Sequence, residues 1–508
     1  MAIVKVVGAP GTGKSFYLSR QIERAIEKYD PYEIVVISYT NAAVEEISSR
    51  IEKNLGVKLP YVKTLHSICY RLLGLNDDKF AEQSKYIKQF NEEYPSFAFD
   101  INNSLSEDND ENEKSDINKN NKLFTKMNIY RNRLIPVELW DYETKSFYVA
   151  WKRFLEENYL VDYAGMIENT IMRNLSIDSM KVLFVDEAQD MTALQMRLLQ
   201  SWYSQCDSVV MSGDSNQAIF KFAGATPDVF MNMDYDKRVV LDKSYRLPSN
   251  ILDYSNTILD KSHVKEMVKF NPRVDGGDVI LDCDNDLSDN LKMNGTHMIL
   301  TRCQYQAREW VNYLVENNVP FYNPYRPSEL SWNPFDQEIA KAIKIYLKIS
   351  ATCISIDEIK QLVKFCIAGK CFSKRGTKSK IMSMPDGDTR MYYPKDLKNL
   401  GFNPDFIDME GDLVQYFNFG KGKSVSLLKH KLKTNPFDIE RKPKVIVGTI
   451  HSVKGGEADH VWIDSRLSSN IRKAILYEDA MDDEIRVAYV AVTRARESVG
   501  IIGHNDIY

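Results

Sequence analysis

The sequence predicts an α/β fold built from two parallel-sheet cores, each broken by an insertion. Three observations carry that expectation. Short β-branched runs alternate with segments of helical periodicity over the first 55 residues, and the same alternation begins again near residue 238. A glycine-rich loop ending in Gly-Lys-Ser stands between the first strand and the first helix. Parallel strands need long crossover connections, which are usually helices, so strand–helix alternation is the signature of a parallel sheet.

Taken in order, AIVKVV (2–7) reads as a strand, 16–29 as a helix, IVVIS (34–38) as a buried strand and 42–54 as an amphipathic helix. Two further strands follow, VLFV from 182 and VVMSGD at 209–214. Before these two strands, 123–175 is helical in pattern and aromatic, with Trp140, Phe147, Trp151 and Phe154, which suggests a small helical insertion. Residues 102–122 hold six acids, three bases, many asparagines and no aromatic residue, and are expected to form a disordered loop. The second α/β pattern starts with RVVLDKSYR (238–246), continues through MILTR (298–302) and resumes at KVIVGTI (444–450). The expected domains are therefore 1–75 with 166–226, a helical insertion at 76–165, 227–325 with 444–508, and a basic insertion at 326–443.

The 66 basic and 71 acidic residues give a net charge of −5, which excludes a protein held to nucleic acid by bulk charge alone. A local basic track is still open, because steering depends on where charge sits. Residues 361–385 carry six Lys/Arg and no acid, and 421–444 carry eight against two. The seven cysteines are scattered, with no CxxC pair, so a disulfide framework or a zinc module is not expected. No apolar run approaches the roughly 18–20 residues of a membrane helix, and a cytoplasmic protein is the expectation.

GAPGTGKS (8–15) fits the phosphate-loop pattern G-x-x-x-x-G-K-[ST] in its proper strand–loop–helix setting. Gly8, Ala9, Pro10, Gly11, Thr12 and Gly13 would wrap phosphate oxygens with backbone N–H groups at a helix N-terminus. Lys14 would reach the β/γ-phosphates, the Ser15 hydroxyl would ligate Mg²⁺, and Phe16 follows directly. VDEAQD (185–190) supplies the complementary carboxylates at a strand end. Asp186 suits a metal ligand, and Glu187 suits a base that orients the attacking water. Hydrolysis of a nucleoside triphosphate with Mg²⁺ is favoured over binding alone.

Further segments resemble, in order, those of the UvrD/Rep/PcrA family of superfamily 1 DNA helicases. SYTNAAVEEISSRI (38–51), TLHSICYRLL (64–73) and DYAGMI (162–167) are similar to the family's FTN-x-A-A-x-E-M, TFHS and DFDDL segments. VDEAQD, GDSNQAIFKFAGA (213–225) and LDKSYRLPSNIL (241–252) follow, then TIHSVKGGEADHVWI (449–463) and EIRVAYVAVTRARE (484–497).

The resemblance implies two RecA-like motor domains of the P-loop NTPase type, each with an inserted subdomain, holding ATP and Mg²⁺. One core would carry the phosphate loop and the other the arginines that stabilise transferring phosphoryl charge, at positions matched by Arg246 and Arg494. Gln217 matches the γ-phosphate sensor, Tyr245 the aromatic that stacks on the base, and Glu457 a residue near the sugar. For DNA, Tyr39, Thr40, Asn41, Thr64 and His66 match first-core positions, and Phe220 and Phe222 match stacking aromatics. Thr449, His451 and Lys454 match second-core positions.

The implied activity is a DNA-dependent ATPase and helicase of DNA repair or replication. It would move 3′ to 5′ on single-stranded DNA, act at single/double-strand junctions and be a monomer in isolation. The alternatives are a translocase that displaces bound proteins with little unwinding, and a nucleotide-gated binding factor. Three positions depart from the family pattern: Phe16 replaces an arginine, Ala223 replaces the arginine of F-R-G-A, and Gly456 replaces the leucine of K-G-L-E.

Overall fold

The computed structural model describes residues 1–100, 116–326, 332–420, 425–505 and 507–508. The chain divides into two compact units, Met1–Val279 with Leu467–Ser498 and the last residues, and Ile280–Arg466 with Val499–Asn505.

The first unit is organised by six strands: β1 (Ala2–Gly8), β2 (Ile34–Ile37), β3 (Tyr61–Lys63), β4 (Val182–Val185), β5 (Ser208–Gly213) and β6 (Lys237–Leu241). They form a parallel sheet in the order β3-β2-β4-β5-β1-β6. Every residue of β2 and β4 is buried, as a sheet covered on both faces by helices requires. The register aligns Val7 with Gly213 and Val185 with Met211, so the strands end level. The carboxyl edge of such a sheet is where an open α/β fold presents its ligand site. The sequence put the segment from 238 at the head of the second α/β pattern. It is instead the edge strand β6, with Gly8 opposite Leu241.

Lys5 lies inside β1 and is 2% exposed. Its ammonium donates to Met231 O at 2.8 Å and stands 3.6 Å from Glu266, while burial lowers its pKa.

The insertion is helical, with Ser84–Glu93, Asp116–Asn132 and Tyr142–Glu157 around an aromatic core. Phe99 stacks on Phe124 at 4.6 Å, and Phe90 meets Trp151 edge-on at 5.1 Å. Here the loop expected at 102–122 is corrected. Residues 116–122 open the long helix, and the remainder of that stretch, up to 115, lies outside the described residues. The asparagines that read as solvated are structural. Asn120 is buried and donates to Ser96 O and Ala98 O, and Asn121 Oδ1 accepts from Asp100 N at 2.8 Å.

The second sheet is formed by β7 (Asp278–Cys283), β8 (His297–Thr301), β9 (Phe321–Tyr322), β12 (Val445–Thr449), β13 (Ala458–Asp464) and β14 (Ala495–Ile502), in the order β7-β14-β13-β8-β12-β9. β12 pairs in parallel with β8 and β9, and β13 in parallel with β8. Its insertion is helical, with a two-stranded ribbon of β10 (Ile354–Ser355) and β11 (Met391–Tyr392). Despite its polar, basic sequence it buries its own core, in which Tyr346 lies 4.6 Å from Phe406 and 5.1 Å from Phe417. Lys364, Lys370, Lys374, Arg375 and Lys380 remain on its surface. The seven cysteines are free, and among the described residues no helix is long and apolar enough to cross a membrane.

Candidate functional site

The phosphate loop leaves β1 at Gly8 and enters helix Lys14–Ile26. Gly11 and Gly13 hold φ of +73° and +79°, in the left-handed region that favours glycine. Space imposes a second constraint. A Cβ on Gly8 would overlap the Thr12 hydroxyl, and one on Gly11 would overlap Arg246 Cβ. Thr12 steadies the turn by donating through Oγ1 to Ala9 O at 2.9 Å. Lys14 is buried and folds back over the loop, donating to Gly8 O at 2.8 Å and Ala9 O at 3.4 Å.

The ends of β4 and β5 deliver the carboxylates. Asp186 is 3% exposed and accepts from Ser15 Oγ at 3.2 Å and Ser212 Oγ at 2.7 Å. Burial, and then the neighbouring Glu187 charge, push its carboxyl up to about 6. Glu187 adopts φ of 52°, an uncommon conformation for a side-chain-bearing residue. Its Oε2 accepts from Gln189 Nε2. Gln189 also accepts Asp214 N at 3.0 Å, linking the two strand ends. A buried carboxylate joined to a serine hydroxyl is a hard oxygen set that fits Mg²⁺, and the glycine cradle beside it fits phosphate.

A relay runs outward from Asp214. Gln217 Nε2 donates to Asp214 Oδ2 at 2.7 Å, and Gln217 Oε1 accepts from Arg494 Nη2 at 2.8 Å. Arg494 is 2% exposed and also donates through Nε to Val490 O at 3.0 Å. Arg246 donates to Thr493 O at 3.1 Å. Both arginines, expected on the second core, group with the phosphate loop in the first unit. Ser244 ties the two together. Its Oγ donates to Pro10 O at 3.0 Å and accepts from Arg246 N and Leu247 N, while Tyr245 N donates to Gly11 O at 2.7 Å. Tyr245 itself is 63% exposed.

A second cluster lies at the ends of β2 and β3. A cavity of about 250 Å³ is lined by Ser38, Tyr39, Thr64, His66, Tyr163 and Gln195, among others. Tyr39 stacks on Phe220 at 5.1 Å, and Phe220 meets Phe222 edge-on at 5.8 Å. Burial pushes His66 down to about 4, so its ring is neutral near pH 7. Thr40 and Thr64 cap helices Asn41–Leu55 and Leu65–Leu72, accepting from Ala43 N and Ser67 N. Asn41, the first residue of its helix, is exposed.

Four residues belong to the second unit. Thr449 ends β12 and accepts Ser452 N at 3.3 Å; His451 and Lys454 lie in the turn that follows, and Glu457 is exposed just before β13. The glycine at 456 has a local cause, because a Cβ there would overlap the Tyr325 hydroxyl.

Sequence reading missed Ser212, Ser244, Gln189 and Tyr163. The serines and the glutamine carry no spacing signal, since their partners are distant in the chain. Tyr163 had a signal, as the residue after Asp162 in DYAGMI, and its ring meets His66 at 5.4 Å.

Two stretches of the chain match one family. Residues 2–238 match the UvrD/REP helicase N-terminal domain, and residues 423–506 the UvrD-like helicase C-terminal domain. The chain belongs to the UvrD/Rep helicase family. Within it, the chain is similar to a probable DNA helicase II homolog of Mycoplasma capricolum, 25% identical over 63% of this chain and 49% of that protein. It is similar to the ATP-dependent DNA helicase PcrA of Staphylococcus epidermidis, at 23% over 97% and 80%. It also resembles PcrA of Staphylococcus aureus, at 23% over 50% and 37%. The chain thus spans about half of the Mycoplasma relative.

Proposed function

We propose that the protein is an ATP-dependent DNA helicase that moves 3′ to 5′ along single-stranded DNA and separates the duplex at the junction ahead. One observation carries the reading. A single short loop, 214–222, holds Gln217 against Arg494 beside the phosphate loop and lays Phe220 on Tyr39 in the aromatic cluster. Nucleotide state and strand occupancy can therefore act on the same few residues.

In this reading Lys14 exchanges its loop carbonyls for β/γ-phosphate oxygens. Ser15 and Asp186 would hold Mg²⁺, whose charge offsets that of the triphosphate. Glu187 orients or deprotonates the attacking water, and Arg246 and Arg494 stabilise charge that develops on the transferring group. Tyr39, Phe220, Phe222 and Tyr163 offer faces for bases, at about 1–3 kcal/mol per stacked base. Thr64, His66 and Thr40 border the same bases, and within the second unit Thr449, His451 and Lys454 are the candidate DNA contacts.

The test is strand separation of duplexes with a 3′ or a 5′ single-stranded tail, with ATP and Mg²⁺. Opening from 3′ tails, abolished by Lys14→Ala, is the expected result. Opening only from 5′ tails overturns the direction. ATP-driven removal of a bound protein without opening replaces the helicase reading with a translocase.

A further inference from the structure

A groove of about 950 Å³ lies where the helical insertion meets the rest of the first unit, and none of the residues assigned above to nucleotide or DNA lines it. Three helices end at it. Asp116–Asn132, Tyr142–Glu157 and Tyr163–Met172 are each followed by a residue in the left-handed region: Leu134, Tyr159 and Asn174, with φ of 57°, 54° and 49°. Each end closes in the same way, by Ile135 N donating to Tyr130 O at 2.9 Å, Leu160 N to Leu155 O at 2.8 Å and Leu175 N to Thr170 O at 3.0 Å. Glycine is the residue that takes this conformation without strain. Two of the three positions instead hold large apolar side chains, and the fold does not bury them: Leu134 is 38% exposed and Tyr159 80%. Met172, the last residue of the third helix, is 74% exposed. All three line the groove, together with the buried Leu160 and Leu194.

Four exposed cations accompany them: Lys79, Lys152, Arg173 and Arg197. Lys79 Nζ lies 5.9 Å from the Tyr159 ring centroid. Among the described residues, the Arg173 and Arg197 side chains make no hydrogen bond or ion pair. Of the acids that line the groove, Asp162 and Glu168 are bound by Arg131, and Glu156 is left, 3.9 Å from Lys152. The groove is therefore positive on a chain whose net charge is −5. Such a surface suits an occupant that is apolar on one side and acidic at its margins. A nucleic-acid strand supplies phosphates but gains its grip from aromatic faces, which Leu134, Met172 and Leu194 lack. An amphipathic helix supplies both parts, laying apolar residues at i, i+3, i+4 and i+7 into the groove and carboxylates against its cations.

We propose that this groove is the docking site for an acidic amphipathic helix of a partner protein, with Tyr159 and Met172 as apolar anchors and Arg173 and Arg197 as charge contacts. Tyr159 then keeps a backbone conformation that glycine would hold more easily because its ring serves the partner. The inference is independent of the nucleotide and DNA assignments.

The experiment selects displayed random peptides of about 16 residues, some four helical turns, on the full chain. Enriched sequences are then made with a fluorophore and titrated by anisotropy against wild type, Tyr159→Gly, and the double variant Arg173→Glu with Arg197→Glu. The expected consensus has apolar residues at helical spacing with Asp or Glu between them. Binding should weaken about tenfold or more in each variant, and added salt should weaken it more in wild type than in the double variant. Tyr159→Gly, which suits the left-handed backbone, should melt at the wild-type temperature or above, so its loss of binding is not a loss of folding. Enrichment that is equal on the double variant, a basic or unpatterned consensus, or unchanged affinity in Tyr159→Gly overturns the proposal. Sedimentation that shows wild type self-associating, and both variants not, makes the occupant a second copy of this chain. An oligonucleotide that binds the double variant about tenfold more weakly than wild type makes it a nucleic acid. Either result also overturns the proposal.

Discussion

Arg494 donates through Nη2 to Gln217 Oε1 at 2.8 Å, and Gln217 in turn donates to the buried Asp214. The glutamine thus joins the guanidinium to the carboxylate at the end of β5, and a guanidinium held at that place suits the charge that develops on a transferring phosphoryl group. Arg494→Ala should lower kcat for ATP by at least about 10²-fold, because a lost arginine finger costs about 10³–10⁵ in the systems where it is known. Gln217→Ala should act differently. Turnover without DNA should fall modestly, while the stimulation by single-stranded DNA should drop about tenfold. Phosphate release with and without an oligonucleotide distinguishes the two patterns; equal stimulation in Gln217→Ala and wild type would remove the glutamine from the coupling path.

Arg131 joins the helical insertion to the core. It binds Asp162 with two hydrogen bonds, the longer at 3.0 Å, and Glu168 with two more, at 2.8 and 3.0 Å. Asp162 is fully buried and also accepts from Trp151 Nε1 at 2.8 Å and Gly165 N at 2.7 Å. Removing the guanidinium strands that carboxylate in a dry site, so Arg131→Ala should destabilise the first unit by about 3–5 kcal/mol. Arg131→Lys should recover only part of this, because an ammonium cannot make the forked contact. Urea unfolding followed by circular dichroism measures both.

Glu82 gives the first unit a dependence on pH. Burial, and then the Asp162 charge, push its carboxyl up to about 8, so the folded chain holds a proton that the unfolded chain releases near 4.5. The stabilisation linked to that proton is complete below about pH 4.5 and is lost as pH rises through about 8. From pH 6 to 9, wild type should therefore lose on the order of 1–2 kcal/mol more than Glu82→Gln, after allowance for solvent screening of a partly exposed group. Parallel thermal melts across that range test it. Identical pH profiles for the two proteins would show that Glu82 ionises normally.

Restoring the family leucine at 456 should be harmful here. Gly456→Leu would drive a side chain into the Tyr325 hydroxyl and should destabilise the second unit by about 1–3 kcal/mol. Combining it with Tyr325→Ala should recover most of the loss, a coupling that a double-mutant cycle reports. If the two effects simply add, the residues do not share this space.

Much of the site could be read from the chain because its logic is local. The phosphate loop spans eight residues, and Asp186 and Glu187 end a recognisable buried strand. Arg246, Arg494 and Gln217 emerged only through the order of motifs, since no short-range pattern marks an arginine that will meet a glutamine 277 positions away. Ser212 and Ser244 left no trace, because a serine hydroxyl gains its role from whichever group the fold brings to it. The helix at Asp116–Asn132 was obscured for a related reason. Its asparagines look solvated by composition, yet two of them satisfy backbone groups inside the insertion. β6 was assigned to the wrong core because hydrophobic periodicity identifies a strand and not its neighbour.

The strand order has a consequence for how the protein is made. β1 leaves the ribosome first, but its sheet neighbours are β5 and β6, which begin at residues 208 and 237. Arg494, which completes the relay, arrives later still, and helix Glu478–Val492 is packed on Ser249–Asp260. At about 5–20 residues per second, roughly 10–50 seconds separate the emergence of β6 from that of Arg494. Through that interval the nascent first unit exposes the apolar face that its last helix will cover. A ribosome stalled before residue 467 therefore carries a sheet without its arginine, a natural client for chaperones.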